Sequence, residues 1–324
     1  MRFGFSPVQS QVRFEACRRQ AALAEALGFD VLWAHEHHVG GTIYPCPLIT
    51  LAAIADHTRR IGLGTNMLLL PLYHPLRVAQ EAAMVDVLSG GRLILGVSAG
   101  YAAEEFQAFG VPLGERGRRM REGVTLIRAV WAQDSVTLEG SSFALRDFSL
   151  FPKPLQKPPP IYIGAVAPPA IRRAASLADG FVIGAPTARG EVRERIGIFE
   201  RSVLALGQQL ADKVIVLNRL VHVVTDRAAK ARAEDFFAER FLHLYGRWGH
   251  HDVTRADVHA GTPALTSREY FIVGEATECI DRIAEYAAMG IHQLACLMNF
   301  GGPDVEAVEH SMRRFAEGVM PRFR

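Results

Sequence analysis

The sequence predicts an α/β protein built as one (β/α)8 TIM barrel, with insertions over the mouth formed by the C-terminal ends of its strands. Three observations predict it. Eight short β-rich runs recur along the 324 residues, and most are followed by a longer stretch of helical periodicity. That alternation is expected of parallel strands joined by crossover helices. The runs are continuously apolar, as strands covered on both faces must be. Polar residues collect just after strand C-termini, where a barrel carries its active site. A doubly wound sheet is the rival architecture, and the count of eight favours the barrel.

The first strand is Arg2–Ser6, with Phe3 and Phe5 alternating against smaller residues. Helical periodicity then runs from Val12 to Leu27 and stops at Gly28, a residue suited to ending a helix. Phe29–Trp33 is the second strand, followed by a helix from Pro47 to about His57. The third strand opens near Ile61, and its helix spans Pro75–Leu88 before the Ser89-Gly90-Gly91 turn. Arg92–Ser98 is the fourth strand, and a long helical zone covers Glu104–Trp131. The rhythm breaks over Asp134–Pro160. There a hairpin pairs Val136–Leu138 with Phe143–Leu145, and Pro158-Pro159-Pro160 excludes a helix or central strand. Ile161–Gly164 is the fifth strand, Pro169–Leu177 its helix, Gly180–Gly184 the sixth strand and Glu191–Leu210 the next helix. Lys213–Val224 is the seventh strand, and Asp226 caps a helix reaching Tyr245. The stretch 244–270, polar and rich in glycine and charge, reads as an active-site lid. Ala276–Met289, the eighth strand His292–Met298 and Val305–Gly318 close the single domain, 1–324.

Composition narrows the class. Hydrophobic residues make up 49% of the chain and charged ones 22%, enough for a large core. Thirty-six basic against 34 acidic residues, a net charge of +2, point to neither nucleic acid nor an anionic membrane as partner. The first twenty residues contain no secretory signal, and the most apolar stretch, near Ile61–Leu76, is interrupted and short of a membrane span. Cys17, Cys46, Cys279 and Cys296 are scattered, like thiols of a cytoplasmic protein.

The densest chemical signal is His35-Glu36-His37-His38, directly after the second strand. Imidazole at a barrel mouth can exchange protons near neutral pH or ligate metal. A helical H-E-x-x-H zinc pattern is absent, and a packing role for some of these histidines is the plain alternative. Thr65-Asn66-Met67 ends the third strand with polar groups suited to the edge of a heteroaromatic ring. Ser98-Ala99-Gly100-Tyr101 offers small residues that let a flat ligand approach backbone, with a tyrosine to pack on it. Within the Glu115–Arg121 cluster, mostly a solvated face, Arg116 is the candidate phosphate ligand. The turn Gly164-Ala165-Val166 leads into a helix whose start can hold phosphate, although prolines there remove donors. Arg172 and Arg173 either help or face water. His222 reads as packed, while His243, Arg247, His250 and His251 fall in the lid.

These motifs together resemble the bacterial-luciferase-like flavin monooxygenases and their F420-dependent relatives. The resemblance rests on A-E-x-L-G-F-D-x-L-W-x-x-E-H-H (Ala24 to His38), L-G-T-N-M-x-L-L-P-x-x-H-P (Leu63 to Pro75) and L-S-G-G-R-L-x-x-G-V-S-A-G-Y (Leu88 to Tyr101). It continues through E-F-Q-A-F-G-V-P (Glu105 to Pro112), P-I-Y-I-G-A (Pro160 to Ala165), A-D-G-F (Ala178 to Phe181) and F-I-V-G-E-A-T-E (Phe271 to Glu278). It implies a barrel that binds a flavin at its C-terminal mouth, usually as a homodimer.

One type of member takes reduced FMN from a separate NAD(P)H-flavin reductase and activates O2 through a flavin C4a-peroxide. The other uses the deazaflavin F420 for hydride transfer. The match of Glu36-His37-His38 to the oxygenases implies the first type, with His37 and then His38 as catalytic residues. Glu36, Thr65, Asn66, Met67, Ser98, Ala99, Gly100, Tyr101, Arg116, Gly164, Ala165 and Val166 are the residues expected around the cofactor. Asn66-Met67 falls where the family often has a non-prolyl cis peptide beneath the isoalloxazine ring. Two departures stand out: Ala99 replaces a phosphate-contacting arginine, and Ala165, Val166 and Ala167 replace the glycine and serine that often meet the phosphate. The expected activity is oxygenation of a small organic substrate. F420-dependent hydride transfer is the alternative, and a metal-assisted hydrolase or a non-catalytic flavin-binding protein are more distant ones.

Overall fold

The computed structural model describes residues 1–9, 14–39, 43–247, 263–299 and 304–324. Eight parallel strands close into a barrel: β1 (Arg2–Phe5), β2 (Val31–Ala34), β3 (Gly62–Thr65), β4 (Leu93–Ser98), β5 (Ile161–Gly164), β6 (Gly180–Ile183), β7 (Val214–Val223) and β8 (Gln293–Leu297). Closure is made where β7 pairs with β6 on one side, Val214 opposite Gly180, and with β8 on the other, Val216 opposite Gln293. β8 then pairs with β1, Phe3 opposite Leu294.

Period-two alternation explains how the barrel is filled. Phe3 and Phe5 point outward into the helical layer, where Phe3 meets Phe315 edge to face. Gly4 between them points inward, and a side chain there would stand 2.3 Å from Trp33 Nε1. A Cβ at Gly64 would lie 2.1 Å from Trp33, and one at Gly180 2.6 Å from Tyr162. Two large rings, Trp33 and Tyr162, therefore occupy the lumen, and glycines on neighbouring strands make room for them. The lumen is a packed core, so open space is left only at the C-terminal mouth.

Most expected elements stand within a residue or two of their sequence limits, and the differences are physical. The zone Glu104–Trp131 splits into helices Ala103–Ala108 and Arg116–Ala132 around Gly110 (φ 64°) and Pro112. The hairpin's second strand is Leu145–Phe148 rather than Phe143–Leu145, because a register shift sets Leu138 against Leu145 and Val136 against Phe148. Phe143 instead packs into the core under the Arg119 guanidinium. The upper half of β7 carries a further parallel strand, Phe271–Gly274, that periodicity had not separated from its surroundings. Asp226 does cap the next helix, accepting from the Ala229 N–H at 2.8 Å. That helix continues to Arg247, and Pro263–Tyr270 is helical as well. His250 and His251 lie outside the described residues. Among the described residues, no helix is long and apolar enough to cross a membrane.

Candidate active site

Two cavities meet at the mouth. The first, about 180 Å³, is lined by residues that follow β1, β2, β7 and β8, including Ser6, His35, Glu36, His37 and Asn299. The second, about 480 Å³, is a groove lined by Ala99, Gly100, Arg116, Gly164, Ala165 and Val166 among others. Met67, Ser98, Tyr101, Gly184 and Asn218 line both, so the two spaces are continuous across Met67.

Local structure at the end of β3 sets the shared floor. The Asn66–Met67 peptide is cis. The Asn66 side-chain amide is locked in a reciprocal pair with Asn218: Asn66 Nδ2 donates at 2.9 Å and Asn218 Nδ2 returns a bond at 3.1 Å. Gly164 keeps the opposite wall low, since a Cβ there would come within 3.0 Å of Met67 Cγ. Gly100 turns with φ 70°, a left-handed conformation in which Phe106 already fills the side-chain space. Thr65 lies beneath this floor and lines neither cavity. Its hydroxyl donates to the Gly96 carbonyl at 2.6 Å and accepts the Gly96 N–H at 2.9 Å, tying β3 to β4.

The four-residue motif after β2 divides into distinct roles. The Glu36 carboxylate is fully buried and receives the Leu69 N–H at 2.8 Å, the Tyr73 hydroxyl and His38 Nε2 at 2.7 Å. It organises the loop, and these donors occupy its oxygens. His38 packs against Phe109 in a tilted pair, ring centroids 4.5 Å apart, and does not line either cavity. His37 does line the first one. Its Nδ1 lies 3.1 Å from Glu105 Oε1, an oxygen that also receives the His38 N–H at 2.8 Å. Burial pushes the Glu105 carboxyl up, but hydrogen bonds and charge from His37 and His38 outweigh it and hold the group below the ordinary glutamate value. An ionised Glu105 orients the His37 ring by holding a proton on its Nδ1. His35, beside it, is held down to about 4 by burial and by the charge of His37. Its Nε2 is 2.8 Å from Ser6 Oγ, and its backbone is bracketed by the Gln9 amide at 2.7 and 3.1 Å.

The groove ends in positive charge. Arg116 lines it, with its guanidinium anchored on the Leu113 carbonyl at 2.8 Å. Arg173 lines it too, while its neighbour Arg172 is exposed on the outer surface. Arg173 presses against Gly117, where an added Cβ would lie 2.9 Å from its Nη2. Burial, together with the charges of Arg121 and Arg116, lowers the Arg173 pKa. Among the described residues, no carboxylate forms an ion pair with Arg116 or Arg173. The helix Pro168–Leu177 supplies little to an anion: Pro168 and Pro169 carry no N–H, and the next two N–H groups are spent on the Ala167 carbonyl. Charge here comes from side chains rather than from the helix terminus.

The expected residues thus come together with three exceptions. Thr65 and His38 stand behind the site, and the Glu36 carboxylate is already engaged. Sequence reasoning had not assigned Ser6, Gln9, Glu105, Arg173, Asn218 or Asn299. Glu105 sat inside a recognised motif, and Arg173 was one of two adjacent arginines with nothing to separate them. Among the described residues, no cluster of three His, Cys, Asp or Glu side chains is arranged to hold a metal.

A donor set of this kind, with an apolar floor, a paired-amide edge and an arginine end, fits a flat heterocycle bearing a phosphorylated arm. A family profile described as luciferase-like monooxygenase matches residues 1–293. The chain is 29% identical over 340 residues to an F420-dependent glucose-6-phosphate dehydrogenase of Beutenbergia cavernae, covering 100% of this chain and 98% of that protein. It is 28% identical over 323 residues to the oxygenase component of a flavin-dependent trigonelline monooxygenase of Acinetobacter baylyi, covering 93% and 87%. In the crystal structure of monooxygenase RslO1 from Streptomyces bottropensis the same fold recurs, with TM-score 0.88, 25% identity and 100% of both chains covered.

Proposed function

Because the chain belongs to the luciferase-like monooxygenase family, whose relatives here are oxidoreductases of both flavin-dependent and F420-dependent kinds, we propose that it is the oxygenase component of a two-component monooxygenase. In this reading it takes reduced FMN from a separate NAD(P)H-flavin reductase and uses O2 to oxygenate a small organic substrate. It works in the cytoplasm as a homodimer. The observation that carries the reading is the junction at Met67: an imidazole–carboxylate pair stands on one side of a ring-sized floor and two arginines on the other.

Bound in the groove, reduced FMN supplies the two electrons that activate dioxygen. The chain's own residues do the rest. Arg116 and Arg173 receive the phosphate by charge-assisted hydrogen bonds, which answers the lack of an arginine at Ala99. Met67, Gly100 and Gly164 would seat the ring, with Asn218, held by Asn66, beside it. His37 Nε2 holds or delivers a proton beside the reacting oxygen, steadied through Nδ1 by Glu105. His38 positions that pair from behind, through its N–H to Glu105. Tyr101, Leu244 and Tyr245 exclude water from the first cavity.

F420-dependent hydride transfer is the second reading, favoured by one observation: a histidine paired with a buried carboxylate is also suited to taking the proton of an alcohol. Stopped-flow mixing separates the two. Anaerobic protein loaded with reduced FMN and mixed with oxygenated buffer should give a transient absorbance band distinct from both reduced and oxidised FMN. On His37→Ala the band should shorten or vanish. Immediate appearance of oxidised FMN, as without protein, overturns the oxygenase reading, and substrate-dependent reduction of F420 would then establish the other.

A further inference from the structure

We propose that the cavity beside His37 takes an uncharged small molecule, with a flat apolar or aromatic body and at least one neutral hydrogen-bonding group, and that it rejects phosphorylated sugars. This rests on the reading that a flavin fills the groove. It departs from the activity named for the relative from Beutenbergia cavernae.

The lining of the space is of two kinds. One wall is polar and neutral: Ser6, Gln9, His35 and Asn299. These groups are cross-braced, with Asn299 Nδ2 donating to the Ser6 carbonyl at 2.8 Å and Gln20 Nε2 donating to Asn299 Oδ1 at 3.2 Å. His35 stays uncharged at neutral pH, because burial dominates its ionisation. Ser6 Oγ shares one hydrogen bond with His35 Nε2, and in either tautomer the hydroxyl keeps a further hydrogen-bonding position for a ligand. The opposite wall is apolar and aromatic, made by Ile43, Tyr101, Leu244, Tyr245 and Leu297.

Charge is what the space lacks. Among the described residues that line it, none is a lysine or an arginine. Its two acidic neighbours are engaged, Glu36 by three donors and Glu105 by two. Arg219 lies behind the wall, fully buried, and gives its N–H groups to the Tyr286 hydroxyl and to the carbonyls of Ala185, Asn218 and Thr187. Arg116 and Arg173 belong to the groove across Met67, where the cofactor needs them. A phosphate dianion placed beside His37 would lose its hydration with no cation among the described lining residues to replace it, and desolvation of an unpaired ion is costly. A hydroxyl or carbonyl on an apolar ring meets complementary groups on both walls.

A matched pair of probes tests this: 4-methylphenol against phenyl phosphate, titrated by calorimetry into protein saturated with oxidised FMN, with glucose 6-phosphate as a third ligand. The expected result is binding of 4-methylphenol at least ten-fold tighter than either phosphorylated probe, without release of FMN. Tyr245→Ala should weaken 4-methylphenol, and Leu297→Arg should reverse the order by adding the missing cation. Equal or tighter binding of phenyl phosphate or glucose 6-phosphate to the unaltered protein overturns the proposal. So does displacement of FMN by 4-methylphenol, which would put the probe in the groove. The same titrations without cofactor, alongside direct FMN binding, keep the two readings apart. Failure to bind FMN with the neutral preference intact sinks the FMN reading alone, and tight FMN binding with a reversed preference sinks this one alone.

Discussion

The two cavities share a floor and differ in how they handle charge. In the groove, Arg116 and Arg173 are brought together without a carboxylate partner among the described residues, near a helix start whose amides are absent or spent. Beside His37 the described ionisable groups are either paired, as with Glu36, Glu105 and His37, or suppressed by burial, as with His35. Half-buried Arg173 is disfavoured by desolvation and by the charges of Arg121 and Arg116, a cost that a bound anion would relieve. In the other space the described ionisable groups are engaged with one another and the rest of the lining is neutral. The lesson is segregation: cations gather in the groove, and among the described residues none lines the cavity beside His37.

The contrast breaks most sharply on removing both arginines. Arg116→Ala with Arg173→Ala should weaken FMN binding by about 100-fold or more, at roughly 1.5–3 kcal/mol for each charge-assisted contact. Riboflavin, which has no phosphate, should be little affected. Fluorescence titration of both ligands reads the difference, and an equal loss for riboflavin would show that the arginines only maintain the fold.

A smaller effect is expected at Arg219, whose guanidinium ties β7 to the loop after β6 that borders both cavities. Arg219→Met keeps the bulk but leaves the Tyr286 hydroxyl and the carbonyls of Ala185, Asn218 and Thr187 without their donor. Loss of about 3 kcal/mol follows from leaving several buried groups unsatisfied. Urea unfolding measures it, and an unchanged midpoint would mean that water replaces the guanidinium freely.

The smallest effect is on pH. Burial holds His35 and His222 down to about 4 in the folded protein, against about 6.5 in an unfolded chain. Below 6.5 the unfolded chain takes up protons that the folded one refuses, so stability is fully present above that pH and falls as pH drops toward 4. Between pH 7 and 5 the loss should be on the order of 2 kcal/mol for each histidine. His222→Phe should flatten the decline measured by urea unfolding between pH 7 and 5. A slope identical to the unaltered protein's would remove His222 from the account.

Legibility followed range. Strand and helix positions came from apolar periodicity and from local breakers, which is why β5 and the last helix, Val305–Gly318, stand where they were expected. The hairpin failed by two residues because its register depends on cross-strand pairing, which alternation along one strand does not encode. In the site, contiguous runs such as Ser98–Tyr101 and Gly164–Val166 were readable because glycine and strand ends have local signatures. Asn218 was not, since nothing within β7 announces a partner 152 positions away at Asn66. Arg172 and Arg173 looked interchangeable until helix phase turned one outward and the other into the groove.

By itself the sequence determined the barrel and gathered the candidate residues, the His37 loop among them, at its mouth, because these depend on periodicity and on short contiguous motifs. Tertiary structure alone decided which charges are paired. Pairing of Glu105 with His37 and of Glu36 with His38 and Tyr73, and the gathering of Arg116 with Arg173, depend on side chains brought within a few ångströms by loops from different strands. Coulomb energy and desolvation vary steeply over those distances and not at all with separation along the chain.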